Sequence, residues 1–189
     1  MLRKIRKVII KGKRTQTEKI TCLDNVNHWI NETLSKGTPD IRRAIKALDK
    51  LGQYLINNED FLLPELCELG FSKEEALQIK KDSLGVLSAD ELFKKIDREL
   101  GGLPFEINRL STREDEFEGW MPVGVLGHVT SSNDAMLPFF SSVEGLLTGN
   151  INVIKTASGA HKVAMTMIEK LCEIDETLFT YTATEKDEK

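Results

Sequence analysis

The C-terminal half of the sequence repeats one pattern: a short apolar run, a small polar loop and a segment with helical spacing. Residues 123–129 and residues 151–155 are the two apolar runs. Residues 135–147 and residues 160–174 are the segments in which apolar side chains recur at helical spacing. The order strand, helix, strand, helix favours a parallel sheet with right-handed crossovers. We therefore predict an α/β fold in which residues 123–129 form a buried strand.

The first half of the sequence has a different character, because it carries several signals that begin and end helices. Residues 24–35 suit a short amphipathic helix, and residues 5–10 suit a short strand. The segment Thr38-Pro39-Asp40 predicts a helix start, with a capping hydroxyl, a proline at the first helical position and an acid near the positive helix end. The sequence thus begins a long helix near residue 40.

Two further helices are predicted from capping-box patterns, in which a serine precedes a glutamate by three positions. Ser72 with Glu75 opens one of these helices, and Ser88 with Glu91 opens the other. Glycines at positions 101 and 102 end the second helix. We accordingly expect a mainly helical region over residues 1–102 and an α/β region over residues 103–189.

Composition narrows the class of protein. A chain of 189 residues with 40% hydrophobic residues has room for one core, with or without a helical appendage. The net charge of −4 argues against nucleic acid as the main partner, although residues 1–19 are strongly basic. Their basic side chains are interpreted as those of a solvated edge strand, with contact to phosphates or a membrane surface as the alternative.

Cellular location and metal content follow from what the sequence lacks. No apolar run approaches the roughly 20 residues that a membrane-spanning helix needs, and the N-terminus has no signal-peptide pattern. The three cysteines are widely separated, and no CxxC or His/Cys cluster has the spacing of a zinc site. We expect a cytoplasmic protein without a membrane span and without a structural metal.

Two polar loops follow the predicted strands: TSSN at residues 130–133 and KTASG at residues 155–159. Ligands of open parallel sheets bind at the carboxyl ends of strands, and helix N-termini favour anions. If the two strands are neighbours, the loops share one rim and suit a polar ligand with phosphate or ribose groups. Taken separately, an asparagine before a helix is most often a helix cap, and a lysine at a strand end is usually solvated. Neither GxGxxG nor GxxxxGK[ST] is present.

In combination, the motifs are more specific. The segments "PVGVLGHVTSSN", "GLLTGN" and "INVIKTAS" together resemble the aldehyde dehydrogenase superfamily. The form that they take here is similar to the acyl-CoA reductase (LuxC-type) family, which is typified by the fatty-acid reductase of bacterial luminescence. The resemblance is strongest over residues 103–159. It implies the first part of a Rossmann-like cofactor domain, preceded by a helical region, so that the chain corresponds to the N-terminal portion of the family fold.

The resemblance also implies a reaction and site residues. Such enzymes transfer the acyl group of an acyl-CoA or acyl-protein thioester to a cysteine and reduce it with NADPH to an aldehyde. Asn133 matches the asparagine that stabilises the oxyanion, and Lys155 matches the lysine that contacts the adenosine ribose. Ser158 stands where NAD-preferring relatives often carry glutamate, which favours NADPH. Thr130 and Ser131 line the cofactor rim. Acyl-transferase or synthetase subunits are the partners that the resemblance suggests.

None of the cysteines fits the role of the nucleophile. Cys172 lies on an apolar helix face, Cys67 lies in a helical stretch, and Cys22 lies in a polar segment. His128 is expected to be packed inside its strand. We therefore expect a truncated part of a reductase that is inactive alone, with a non-catalytic interaction module as the alternative. An open sheet edge at residues 151–155 or a neighbouring strand predicts self-association.

Overall fold

The computed structural model describes residues 8–10, 13–15, 22–37, 40–109, 116–131, 134–156 and 161–186. The helices within these ranges are α1 (Cys22–Ser35), α2 (Ile41–Asn57), α3 (Leu63–Glu68), α4 (Lys73–Leu87), α5 (Ala89–Leu100), α6 (Leu137–Leu147) and α7 (His161–Ile174). The strands are β1 (Val8–Ile10), β2 (Lys13–Thr15), β3 (Ile107–Arg109), β4 (Phe117–Gly119), β5 (Val125–Val129), β6 (Ile151–Thr156) and β7 (Thr182–Lys186). A 3₁₀ turn over Glu176–Tyr181 links α7 to β7.

Five of the described strands form one mixed sheet in the order β2-β1-β7-β6-β5. Strands β5, β6 and β7 run parallel, whereas β1 pairs antiparallel with both β7 and β2. A separate antiparallel pair is formed by β3 and β4. The predicted α/β class, with a helical region before a small parallel sheet, is thus confirmed. The sequence did not indicate β7 or its pairing with the N-terminal strand.

Helices α6 and α7 cover the same face of the parallel strands. Asn152 and Thr156 of β6 point to one side, because residues four positions apart in a strand share a face. The side chain of Asn152 lies against α6, and Thr156 forms a 2.8 Å hydrogen bond with His161 of α7. This placement follows from the strand order, since right-handed crossovers that advance in one direction put successive helices on one face.

The core is continuous from the helical region to the sheet. Leu48, Leu51 and Leu55 of α2 are fully buried, as are Phe139 of α6 and Ile154 of β6. Burial of one such side chain stabilises the fold by about 1.5–3 kcal/mol, so α2 holds the helices and the sheet together. The predicted domain boundary between residues 102 and 103 remains a prediction. One hydrophobic core contains residues from both sides of that boundary.

An ion pair adds a polar tie between α2 and the end of α7. The guanidinium of Arg43 donates two hydrogen bonds to the carboxylate of Asp175, one of them 2.9 Å long. Thr177 donates to the same carboxylate from its backbone N–H and its hydroxyl. Burial acts to raise the pKa of Asp175, but these bonds outweigh burial and hold that pKa below its usual range.

The predicted helix starts are partly correct. Asp40, not Thr38, caps α2, because its carboxylate accepts a 3.1 Å bond from the N–H of Arg43. The capping box of Ser72 and Glu75 is confirmed. Ser88 caps α5 through its hydroxyl, but its own N–H already bonds Leu84 O at the end of α4. That N–H is therefore not available to close a box with Glu91.

The prediction that residues 123–129 form a buried strand is wrong in one respect. Strand β5 forms, but its side chains alternate between exposed and half-buried. Val125 is 37% exposed, and Val129 is 82% exposed. The cause is the position of β5 at the end of the strand order, where it has a neighbouring strand on one side only.

Candidate functional site

The two polar loops begin side by side, as the sequence predicted for neighbouring strands. Val129 pairs with Lys155, and the N–H of Thr130 donates a 3.2 Å bond to the carbonyl of Lys155. The hydroxyl of Thr130 approaches the same carbonyl at 3.4 Å. The carboxyl ends of β5 and β6 therefore form one rim, at which a donor hydroxyl and a lysine lie on adjacent strands.

Three of the predicted site residues can be placed at this rim. Thr130 and Lys155 are half-buried, and Ser131 is exposed. Asn133 and Ser158 lie outside the described residues, so their roles remain predictions. The rim provides hydroxyl and ammonium groups that suit a ribose or a phosphate, and its half-buried side chains are accessible to a ligand.

The N-terminus of α6 already has an anionic partner within the chain. One carboxylate oxygen of Asp134 accepts hydrogen bonds of 2.8 Å from the N–H of Met136 and 3.2 Å from that of Leu137. We expected these donors to favour an anionic ligand, but the carboxylate satisfies them. The sequence signal was available, because an aspartate side chain commonly bonds the backbone N–H two residues on. An anionic ligand at the rim therefore has less to gain at α6.

A hydrogen-bonded cluster holds β5 against α6 behind the rim. His128 contacts the hydroxyl of Ser141 at 2.6 Å through Nδ1 and the amide oxygen of Asn152 at 2.8 Å through Nε2. An amide oxygen can only accept, so Nε2 carries the proton and Nδ1 accepts from Ser141. His128 is half-buried, not fully packed, and both ring nitrogens are engaged in holding the strand.

This cluster depends on a glycine in α6. A side-chain carbon added to Gly145 would lie 1.9 Å from the Asn152 amide oxygen. Only glycine therefore allows β6 to approach α6 closely enough for Asn152 to reach His128. Sequence analysis missed Gly145, because the need for glycine arises from a contact with Asn152 that forms only when α6 packs against β6.

The "GLLTGN" motif lies at the opposite ends of the strands from the rim. Asn150 accepts a 2.9 Å bond from the N–H of Gly124, which precedes β5, and donates a 2.9 Å bond to the Thr148 hydroxyl. Gly149 adopts a φ of 78°, and an added side-chain carbon there would lie 2.8 Å from the Phe105 ring. The motif therefore fixes where β5 and β6 begin, and contributes no group to the rim.

The described cysteines give no activated thiol at the rim. Cys172 is buried on α7, as predicted, and burial raises the pKa of its thiol to about 12. The thiol is thus protonated near neutral pH. Cys67 is exposed on α3, not at a strand end. No cluster of His, Cys, Asp or Glu suited to a metal ion occurs within the part of the chain that the structure describes.

A groove lies beside the cluster, between α5, β5 and α6, with a volume of about 270 Å³. It is on the helix-covered face and does not include Thr130 or Lys155. Lys95 lies in it and bonds Glu144 at 2.9 Å and Glu99 at 3.2 Å. The bond to Glu144 is the main cause that raises the pKa of Lys95.

Among the described helices, none is long and apolar enough to cross a membrane.

Comparison with known proteins supports the resemblance seen in the sequence. Residues 38–184 match the model of the acyl-CoA reductase (LuxC) family. No curated protein matches the chain. Among solved structures, a NAD-dependent benzaldehyde dehydrogenase from Corynebacterium glutamicum superposes with a TM-score of 0.67 at 14% identity. Aldehyde dehydrogenase 21 from Physcomitrella patens gives 0.70 at 13% identity, and an NADP dependent enzyme from E. coli gives 0.66 at 14%.

These structures show the fold and its extent. The alignments cover 97%, 100% and 98% of this chain, in that order, but only 43%, 44% and 39% of the relatives' chains. The chain therefore spans less than half of the length of these relatives. At this level of identity the likeness establishes an aldehyde dehydrogenase-like fold, and says nothing further about cofactor or substrate.

Proposed function

Because the chain belongs to the acyl-CoA reductase (LuxC) family, we propose that it forms the cofactor-binding portion of an aldehyde-forming reductase. The substrate proposed is a fatty acyl thioester, carried by coenzyme A or by a protein. The observation that carries this proposal is the rim at which Thr130 and Lys155 meet on adjacent parallel strands. Ligands of open α/β sheets bind at such a position.

NADPH is the cofactor that we propose for this rim. The ammonium group of Lys155, a half-buried residue, suits the adenosine ribose, while Thr130 and Ser131 supply hydroxyl groups at the end of the adjacent strand. Ser158 would leave room for a 2′-phosphate where a glutamate would repel it. When bound, the cofactor supplies the hydride that reduces the acyl group. The chemistry of the donor set fits the adenosine portion of the cofactor.

The other steps of the reaction divide between this chain and residues elsewhere. We propose that the side-chain amide of Asn133 donates to the carbonyl oxygen of the substrate as negative charge develops there. The nucleophilic cysteine of the family mechanism has no candidate among the described cysteines, since Cys172 is a buried thiol and Cys67 lies on α3, not at a strand end. The chain alone is therefore expected to bind the cofactor without turning over the acyl thioester.

Cofactor titration of the purified chain tests the proposal. We expect NADPH to bind more tightly than NADH, and Lys155→Ala to weaken NADPH binding about tenfold, as measured by protein fluorescence or calorimetry. Lys81→Ala is the matched control, because Lys81 is an exposed lysine on α4, away from the sheet. It should leave binding unchanged. Equal loss in both variants, or no binding by the wild-type chain, would favour a non-catalytic interaction module.

A further inference from the structure

Ser141 and Ser142 are neighbours on α6, but their hydroxyl groups have different partners. Ser142 is buried, and its hydroxyl donates a 2.6 Å hydrogen bond to the backbone carbonyl of Phe139. Ser141 is half-buried, and its hydroxyl lies 2.6 Å from Nδ1 of His128. A serine whose hydroxyl donates to a neutral imidazole has a nucleophilic oxygen next to a general base. The helix therefore carries one serine with such a base and one whose hydroxyl bonds the backbone.

The imidazole of His128 is held in the tautomer that a general base needs. Nε2 donates a 2.8 Å bond to the amide oxygen of Asn152. The orientation of that amide is fixed, because its nitrogen donates a 3.2 Å bond to the backbone carbonyl of Asn150. Nδ1 is consequently unprotonated and can take the proton of Ser141. A nucleophile, a histidine and an asparagine that orients the imidazole also form the site of papain-like proteases, in which the nucleophile is a cysteine.

The serine and its base both line the groove between α5, β5 and α6, so a small molecule in the groove can reach them. Its volume is about 270 Å³, and Ile96, Leu100 and Leu126 give it apolar walls next to Ser141 and His128. Pockets for drug-sized ligands have volumes of about 300–1,000 Å³. The groove lies just below that range and therefore suits a short acyl chain.

The charged residues that line the groove restrict the kind of substrate. Glu99 and Glu144 contribute two negative charges, and Lys95, which bonds both carboxylates, contributes one positive charge. The charges of these three side chains therefore sum to a negative value, which opposes the entry of a phosphate or a carboxylate. An uncharged carboxylic ester meets no such repulsion, and its acyl chain fits the apolar walls.

We propose that Ser141 is a nucleophile that accepts a short acyl group from an uncharged carboxylic ester, with His128 as its general base. The Ser141 oxygen bonds the carbonyl carbon of the ester while the hydroxyl proton passes to Nδ1 of His128. The bond between that carbon and the alcohol oxygen then breaks, and the alcohol leaves with the proton from His128. The acyl group remains on Ser141 as an ester. The groove does not include Thr130 or Lys155, so this inference is independent of the proposed cofactor.

Acetylation of the folded chain by para-nitrophenyl acetate tests the proposal. After a brief reaction and an acid quench, peptide mass spectrometry locates each acetyl group and separates Ser141 from Ser142 and from the exposed thiol of Cys67. Ser141 should react at least about a hundredfold faster than Ser142, because a positioned base contributes about 10²–10⁴-fold. His128→Gln should slow the acetylation of Ser141 about a hundredfold. His28→Gln is the matched control, because His28 is exposed on α1, and it should leave the rate unchanged.

Unfolding in urea gives a comparison that needs no substitution. In the unfolded chain, Ser141 loses its contact with His128, so Ser141 and Ser142 should react at equally slow rates. Absent or equal acetylation of the two serines in the folded chain, equal rates in the two histidine variants, or a Ser141 rate that urea leaves unchanged would each overturn the proposal. Thermal unfolding checks that His128→Gln is folded. If it is not, the two serines of the wild-type chain, compared with and without urea, still decide the question.

Discussion

The two faces of the β5–β6 pair differ sharply in how they are built. On the helix-covered face, Asn152 is fully buried, and it links His128 of β5 to the close approach of Gly145 in α6. On the other face, Val129 is 82% exposed, and an added side-chain carbon at Gly127 would meet no atom within 4 Å. At these positions, one face of the pair leaves no room for an extra atom, whereas the other is open.

The difference teaches that burial in a parallel sheet is decided by the connections, not by the strands themselves. Both strands have apolar residues on both faces, but the two crossover helices lie on the same side. Substitutions on the two faces should therefore have very different effects on stability, although the residues are close in sequence and similar in type.

The largest effect is expected from Gly145→Ala. The new carbon would lie 1.9 Å from the Asn152 amide oxygen, so either the helix moves or the bond to His128 breaks. Overpacking and a lost buried hydrogen bond together should lower the free energy of unfolding by about 3–4 kcal/mol. Urea unfolding followed by circular dichroism measures this change.

Gly127→Ala is the control on the open face. Because no atom lies within 4 Å of the new carbon, the free energy of unfolding should change by less than about 0.5 kcal/mol. Gly85→Ala provides a second control within a helix, where no neighbour is close and alanine should stabilise by up to about 1 kcal/mol. Equal destabilisation by Gly145→Ala and Gly127→Ala would contradict the distinction between the faces.

A smaller loss is expected from Asn150→Ala at the beginning of the strands. Asn150 is 3% exposed, and its amide accepts from Gly124 and donates to Thr148. Leaving these groups without partners should cost about 2 kcal/mol. Cofactor affinity measured under conditions where the variant is folded should not change, because Asn150 lies at the end of the sheet away from Thr130. A selective loss of NADPH binding would show that the motif acts at the rim instead.

The next effect depends on pH and concerns the tie between α2 and α7. The pKa of Asp175 is lowered in the folded state, so its contribution is complete above the unfolded pKa of about 3.9 and is lost as the pH falls through the folded pKa. Asp175→Asn should lower the free energy of unfolding by about 1 kcal/mol at pH 7. It should also reduce the acid dependence of stability, as urea unfolding at several pH values would reveal.

The control for that variant is Asp97→Asn, which changes an exposed carboxylate on α5. Its acid dependence should match that of the wild-type chain. If Asp175→Asn retained the wild-type dependence on pH, the bonds from Arg43 and Thr177 would not be the source of the acid sensitivity.

The smallest effect is expected from Val129→Thr on the open face. Threonine keeps the branched shape and strand propensity, and an 82% exposed side chain loses little apolar burial. The change in the free energy of unfolding of the isolated chain should be below about 0.5 kcal/mol. A loss of stability above about 1 kcal/mol would show that this face is already covered in solution. A sedimentation measurement would then test whether self-association covers it.

Local signals in the sequence predicted much of the fold. The capping box at Ser72, the ranges of α6 and α7, and the parallel pairing of two apolar runs all follow from spacing and turn chemistry over a few residues. Local signals did not distinguish Thr38 from Asp40 as the cap of α2, since both residue types accept hydrogen bonds there. Strand β7 was missed because Thr182–Lys186 has little apolar character and is held by pairing with β6 and β1.

The candidate site was predicted to a similar extent. The motifs placed Thr130 and Lys155 at the ends of two strands, and the pairing of those strands brings them together. The motifs did not show that Asp134 satisfies the N-terminus of α6, or that Asn150 belongs to the far end of the strands. Those facts depend on the direction of side chains in three dimensions, which motif spacing does not give.

The sequence by itself determined the family, the α/β class and the order of strand and helix, because these depend on local patterns and on motifs read along the chain. Only the tertiary structure decided which face of β5 is half-buried and why Gly145 must be glycine. The physical reason is that burial and hydrogen bonding arise between residues far apart in sequence. Val129 is as apolar as Ile154 of β6, but Val129 is 82% exposed and Ile154 is fully buried, because Ile154 lies on the helix-covered face and Val129 lies on the other.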